Sequence, residues 1–516
     1  MAVCDFKFHS YFSIMIAADS NPLSDTSNAE NIFDEDSYGT FTATTVSSPD
    51  ITFTSSDGRI TFGAAGTYLL VGDLAWTVGG DTNTTIKIYK NGSAVYQMTA
   101  IPAFTTLDPT SASYHTVLNF VAGDYIEVKV LTDDTNTITV QEGTTFVALK
   151  ANGDYGNLTY TADASAGANN TLETIGDSDL GGTRTDNLKN VTYTEDEGTL
   201  TPANTRPFLM LSTLAGVHNK NKEVAFSLYA SGSALDTTST KIHNSLDPQE
   251  VTYGILKTLT GGETASSRLQ STDSTGNITI KAGTSFSIFD VSNSGGVSPS
   301  AYISFAVNAD SDPLSATEDA ICFDSNEWSS YADTDHVTAT GITFTANGGT
   351  FVVANAGKYF ILWNLVIGTT SGSSTERTVK IKNGTTLIYT APWIFRNPFD
   401  PFEKTVCLIV DAAAGDSFTF LVNSPNGMFD AGTAITMFKV DDLRGLHPQS
   451  VPTDSLIADD FTINGFSADG LSPQYDRYIQ KQVPFLLGVR GPLSLRGRCL
   501  ATTENPPNVS TGDKKN

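Results

Sequence analysis

At 516 residues and 54.9 kDa the chain is too long for one ordinary domain, and its 39% hydrophobic content suffices for about three cores of ~150 residues each. A formal net charge of −26 argues against nucleic acid as a partner of the body, because an acidic surface repels a phosphate backbone. Only 17% of residues are charged and 29 are Phe, among abundant Thr, Ser, Gly and Asn, a balance that favours short β-strands joined by polar turns.

The opening stretch "MAVCDFKFHSYFSIMIAADS" has no basic segment followed by an apolar run of the kind that directs export. No stretch approaches the ~18 apolar residues of a membrane span. The expectation is a protein made in a cytoplasm and released by lysis, as a virion component would be. The stretch "ITFTSSDGRITFGAAGTYLL" then begins at Ile51; "ITFT" and "RITF" flank a turn in which Gly58 supplies a positive φ. Further on, "TIKIYKNGSAVYQ" reads as a second hairpin about Asn91-Gly92, and Ala122-Gly123-Asp124 turns the chain into "YIEVKVL". "TTFVALK" closes the unit.

The same order returns later. "ADSNPLS" at Ala18 recurs as "ADSDPLS" at Ala309, and Ile51 and Gly66 recur as Ile342 and Gly357, all displaced by 291 residues. A more diverged copy lies between them: Val191, Gly198 and "YASGSAL" at Tyr229 are displaced by 140 from their first-copy counterparts. A period so long makes each copy a complete domain. The expected boundaries are 1–150, 151–308 and 309–443, with an irregular arm over 444–516. "AYISFAVNADSDPLS" reads as a segment shared by the second and third copies.

The series "FSIMIAADSNPLS", "NIFD", "GRITFGAAGTYLL", "IKIYKNG", "HTVLNFVAGDYIEVKV", "TTFVAL" resembles the globular head of complement subcomponent q and its tumour necrosis factor-like relatives. The resemblance covers residues 12–150 and 303–440, and its departures are Arg206 and Thr284 in the middle copy. It implies an all-β protein of three tandem TNF-like jelly-roll β-sandwiches. It also implies threefold assembly about an aromatic-rich axis, either a homotrimer of stacked chains or an intramolecular pseudo-trimer.

Candidate sites are few. No nucleophile elbow, zinc-helix motif, C-x-x-C or phosphate-cradling loop occurs, so the chain reads as a non-enzyme without cofactor or metal. His9, His115, His218, His243, His336 and His447 are scattered singly and read as loop or surface residues. Cys4, Cys322, Cys407 and Cys499 lack metal-ligand spacing; Cys322 and Cys407 share a repeat and either meet across it or stay buried thiols. Glu195-Asp196-Glu197 falls in a hairpin turn and reads as solvated, not as a calcium site. Sequons such as Asn83 and Asn91 are expected by chance in this composition.

The loop "APWIFRNPFDPFEK" gathers Trp393, Phe395, Arg396, Phe399 and Phe402, fit for a glycan or protein partner, or for burial at a threefold axis. From Tyr475 to Asn516 seven basic residues face three acidic ones. Arg477, Lys481, Phe485, Leu486, Arg490, Arg496 and Arg498 there make an anchor arm, whose alternative is to fold back on the third domain. Together these features suggest a bacteriophage structural protein, a capsid decoration, head-fibre or tail-associated component bound to another virion protein. The alternative is an extracellular recognition module for a glycan receptor or a protein.

Overall fold

The computed structural model describes residues 10–440 apart from short loop stretches, the longest being 23–29, 36–42 and 395–401. The first repeat runs β1 (Tyr11–Ile16), β2 (Glu30–Asn31), β3 (Ala43–Ser47), β4 (Ile51–Thr54), β5 (Arg59–Phe62), β6 (Gly66–Val78), β7 (Thr82–Lys90), β8 (Ser93–Ala103), β9 (Thr110–Phe120), β10 (Tyr125–Thr132), β11 (Ile138–Val140) and β12 (Thr145–Lys150). One sheet has the order β3-β1-β12-β6-β9, with β11 also on β6; the other has β4-β5-β10-β7-β8, with β2 on β10. All pairs are antiparallel, and the two orders together are those of a jelly roll.

Local chemistry places the turns. Asn91 and Gly92 have φ of +50° and +80°, both left-handed, which suits a tight hairpin to the twist of its strands. Gly58, Gly198 and Gly349 occupy one position in the three copies, with φ of +62°, +61° and +53°. A Cβ there would come within 2.7 Å of the backbone nitrogen of Asp34, Asp177 or Asp324, so the hairpin can cross the preceding loop only if this residue is glycine.

The other repeats build the same sandwich. In the second, Arg184–Lys189, Tyr155–Tyr160, Ser285–Asp290, Arg206–His218 and Gln249–Leu259 follow one another across the first sheet. In the third, the corresponding strands are Asp333–Thr340, Tyr302–Val307, Ala434–Lys439, Gly357–Thr369 and Phe402–Ala412.

Two sequence expectations need correction. Strand Tyr302–Val307 pairs with Ala434–Lys439, so it belongs wholly to the third sandwich, which therefore begins before residue 309. Thr284 is not a departure from Ala122-Gly123-Asp124. That turn, in which Gly123 N donates to Phe62 O, is matched by Gly262 N donating to Pro202 O and Gly415 N to Val353 O. Thr284 instead matches Thr144 and Thr433. Each hydroxyl donates to the carbonyl and accepts from the amide of one residue on the long central strand: Ala75, Ala215 and Val366, at 3.0–3.1 Å.

Each sandwich has its own core, with Trp76, Phe146 and Tyr68 in the first, Phe208 and Phe286 in the second, and Trp363, Phe351 and Phe420 in the third. A fourth cluster draws on all three repeats, among them Leu69, Val71 and Tyr11, then Leu209, Leu211 and Tyr155, then Phe360, Leu362 and Phe438. Residues His9–Asp442 accordingly make one compact unit.

Candidate functional site: the face shared by the three sandwiches

The central strands explain the fourth cluster. β6, "GTYLLVGDLAWTV", is buried almost throughout, whereas β10 alternates buried with partly exposed residues. Tyr68, Leu70, Leu74 and Trp76 enter the core of their own sandwich, and Leu69 and Val71 on the opposite face enter the shared cluster. A strand covered on both faces reads as a near-continuous apolar run.

The contacts between sandwiches run head to tail and close. β9 and its counterparts Gln249–Leu259 and Phe402–Ala412 are sheet edges whose outward backbone groups need partners. The next sandwich supplies them. Ser113 N donates to Glu250 Oε1 at 2.6 Å and Ser285 Oγ donates to His115 O at 2.9 Å, joining first to second. Leu256 N donates to Ser304 Oγ at 2.9 Å and Thr405 Oγ1 to Thr252 O at 2.6 Å, joining second to third. Ile409 N donates to Ser13 Oγ at 3.0 Å, joining third to first. Tyrosines on the outer strands repeat the direction: Tyr96 OH donates to Gly283 O, and Tyr389 OH to Gly143 O. Gly143 and Gly283 have φ of +80° and +95°, and a Cβ on them would lie 2.6 Å from Thr390 O and Met98 Cα of the abutting sandwich.

The side chains at matched positions differ, so each seam is distinct. Across from Val71, Leu211 and Leu362 stand His115, Gly254 and Cys407. His115 is fully buried, with Nδ1 2.7 Å from Thr213 Oγ1 and Nε2 3.0 Å from Ser287 Oγ, and desolvation lowers its pKa to about 3. His218 is buried too, its Nε2 2.9 Å from Ser271 Oγ. Both correct the expectation of loop or surface histidines. Cys407 lies against Val71 O and Thr145 Oγ1 at 3.6 Å, Cys322 sits in the core of the third sandwich, and both are free thiols. Burial raises the Cys407 thiol to about 12, so it stays protonated and unreactive at neutral pH.

Seven residues beyond Gly66, Arg206 and Gly357 stand Asp73, Thr213 and Asn364. Asn364 Nδ2 donates to Thr252 O, and its Oδ1 accepts from Gly254 N at 3.2 Å. Asp73 pairs with Lys404 of the third sandwich, their side chains 1% and 0% exposed. Burial raises the Asp73 carboxyl to about 6 against the opposing pull of Lys404, and burial also pushes the Glu250 carboxyl well up.

Arg206, the other anticipated departure, is one half of a coupled exchange. The first copy has Gly66 beside Lys150, whose Cε occupies the space a Cβ would need; the third has Gly357 across from Ala412, with Lys439 across from Tyr359 as Lys150 is across from Tyr68. The middle copy has Asp290 where the others have lysine, and Arg206 Nε lies 3.4 Å from its Oδ2. Between the first and middle copies the bulk moves from one strand to the next while the site keeps a cation.

Glu195-Asp196-Glu197 forms an exposed 3-10 turn closed by Gly198. Trp393 lies in strand Thr386–Ile394 across from Arg377, and Phe402 opens strand Phe402–Ala412 across from Ile367. Phe395, Arg396 and Phe399 lie outside the described residues, as do Arg477, Lys481, Phe485, Leu486, Arg490, Arg496 and Arg498 of the arm. No helix among the described residues is long and apolar enough to cross a membrane.

No protein-family model matches the sequence, and no curated protein matches it. Among solved structures the chain is similar to the crystal structure of pika GITRL, with 17% identity over 28% of this chain and 95% of that one, at a TM-score of 0.16.

Proposed function

We propose that this chain is a non-catalytic structural and binding head, an intramolecular pseudo-trimer in which one chain supplies all three jelly rolls. The observation that carries this reading is the closed series of contacts from first to second, second to third and third to first sandwich. A ring completed within one chain leaves no equivalent seat for a second copy. Such a head holds its outer loops in a fixed geometry, which favours multivalent attachment over chemistry.

Within that reading we place the protein in a bacteriophage particle, as a capsid decoration, head-fibre or tail-associated component attached through the arm over 444–516. Support comes from the acidic body beside the basic, apolar end of the arm, residues 475–516. The test is attachment: mass spectrometry of gradient-purified particles is expected to find the full chain, and a chain ending near Asp442 is expected to stay in the unbound fraction. The alternative, an extracellular module recognising a glycan or protein, is favoured by the aromatic loop. It predicts that Trp393→Ala with Phe399→Ala abolishes glycan-array binding while removal of the arm does not.

A further inference from the structure

The junction of the third and first sandwiches is the one seam not followed by a chain connection, and it contains the most deeply buried ion pair among the described residues, Lys404 Nζ against Asp73 Oδ2, 331 residues apart in sequence. Two opposite charges withdrawn from water gain little over an apolar pair, so stability alone does not explain their presence. Three features of the surroundings matter more. The pair is in direct contact and closed to water. Glu250 from the second sandwich borders it, accepting from the backbone N–H of Ser113, the residue directly across from Asp73. The charges of Asp73 and Lys404 both bear on Glu250, so the three groups share one buried neighbourhood.

We propose that Lys404 and Asp73 join covalently, forming an amide between Lys404 Nζ and Asp73 Cγ that locks the third sandwich to the first, with Glu250 carrying the protons. The reaction needs a neutral amine and a neutral carboxylic acid. Burial favours both, since transfer of one proton from the ammonium to the carboxylate removes two charges from a dry site. The amine lone pair attacks Asp73 Cγ while the protonated Glu250 carboxyl stabilises the carbonyl oxygen. The surplus amine proton passes to Glu250 and on to the departing hydroxyl, which leaves as water. One C–N bond forms, one C–O bond breaks, one water is released, and Glu250 ends as it began. No oxidant or cofactor enters the balance. Holding the two groups together in the fold supplies the effective concentration that makes an otherwise slow condensation accessible, of the order of 10⁵ M or more for well-aligned groups.

The inference does not depend on where the protein is attached. It is tested by the intact mass of the denatured full-length chain, followed by peptide mapping. The expected result is a mass one water lower than the sequence requires, with a branched peptide uniting the segments that contain Asp73 and Lys404. Lys404→Met and Glu250→Gln are expected to restore the unmodified mass; glutamine keeps an acceptor for Ser113 N–H but cannot relay the proton. A wild-type chain that retains its full mass after prolonged incubation in the folded state overturns the proposal. So does a lost water that maps to any other pair of residues. The wild-type measurement decides the question even if a variant fails to fold.

Discussion

His115 shows how a single side chain of one repeat is fixed by groups of the next. It is held neutral between Thr213 and Ser287, with a folded pKa of about 3 against an ordinary value near 6.5. A base whose folded value is depressed contributes stability that is full above the unfolded value and lost as pH falls toward the folded one. From pH 7 to pH 4.5 the loss from this group is about 2–3 kcal/mol, since each unit below ~6.5 is worth roughly 1.4 kcal/mol. Urea unfolding at the two pH values checks it, and His115→Gln is expected to flatten that part of the profile. Asp73 acts in the opposite sense while its carboxyl is free: its raised folded value, about 6, makes its contribution full below the unfolded value near 3.8 and lost as pH rises through 6. Gly143 is constrained twice, by a φ of +80° and by Thr390 O of the third sandwich, 2.6 Å from any Cβ. Gly143→Ala is therefore expected to lower stability by about 2–4 kcal/mol, from strain plus overpacking, read as a drop in melting temperature.

The elements were legible in the sequence where their chemistry was local. Glycine-turned hairpins at Gly58 and Asn91-Gly92 follow from residues a few positions apart, and both form as expected. Register between distant strands was harder to read. Ala122-Gly123-Asp124 and Ala282-Gly283-Thr284 look alike as tripeptides, but only strand pairing shows that they are different turns, the second belonging with Thr144 and Thr433. The burial of His115 was hidden for the same reason: its partners come from another repeat. A usable signal did exist in the unbroken runs "YLLVGDLAW", "FLMLSTLAGV" and "YFILWNLVIG", too apolar for a sheet with one wet face. Strand chemistry also compensates between copies. Tyr114 lies across from Gly72, Tyr253 across from Ser212, and Val406 across from Trp363, so a large residue on one strand meets a small one on the other. Gly72→Trp alone is expected to unfold the first sandwich, because even a Cβ there comes within 2.7 Å of Tyr114 Cε1. Combined with Tyr114→Val, it is expected to recover most of the folded circular dichroism signal. At the strand ends, Asp290→Lys is expected to cost about 1–3 kcal/mol by setting two cations together, and Arg206→Gly in the same chain to restore much of it, as a double-mutant cycle would read.

At the scale of the whole molecule, triplication has made three copies that are alike in fold and different at their seams. His115, Gly254 and Cys407 occupy one matched position, and Asp73, Thr213 and Asn364 another, so each sandwich meets its neighbour with its own set of groups. Exchanging any two would bury unmatched polar groups, at roughly 1–3 kcal/mol for each one left without a partner. In the proposed pseudo-trimer, private seams would fix the cyclic order, and a closed ring would leave no repeat unpaired. The seam between third and first sandwiches closes last in sequence, and its loss would expose the apolar surface of Leu69, Val71, Phe360 and Leu362.

The most direct test is the native mass of the full-length protein by light scattering across a wide concentration range, beside a chain ending near Asp442. A monodisperse species near 54.9 kDa is expected at every concentration, with the shortened chain also monomeric. A species of three chains, persisting on dilution, would contradict it and place the threefold contacts between molecules instead of within one.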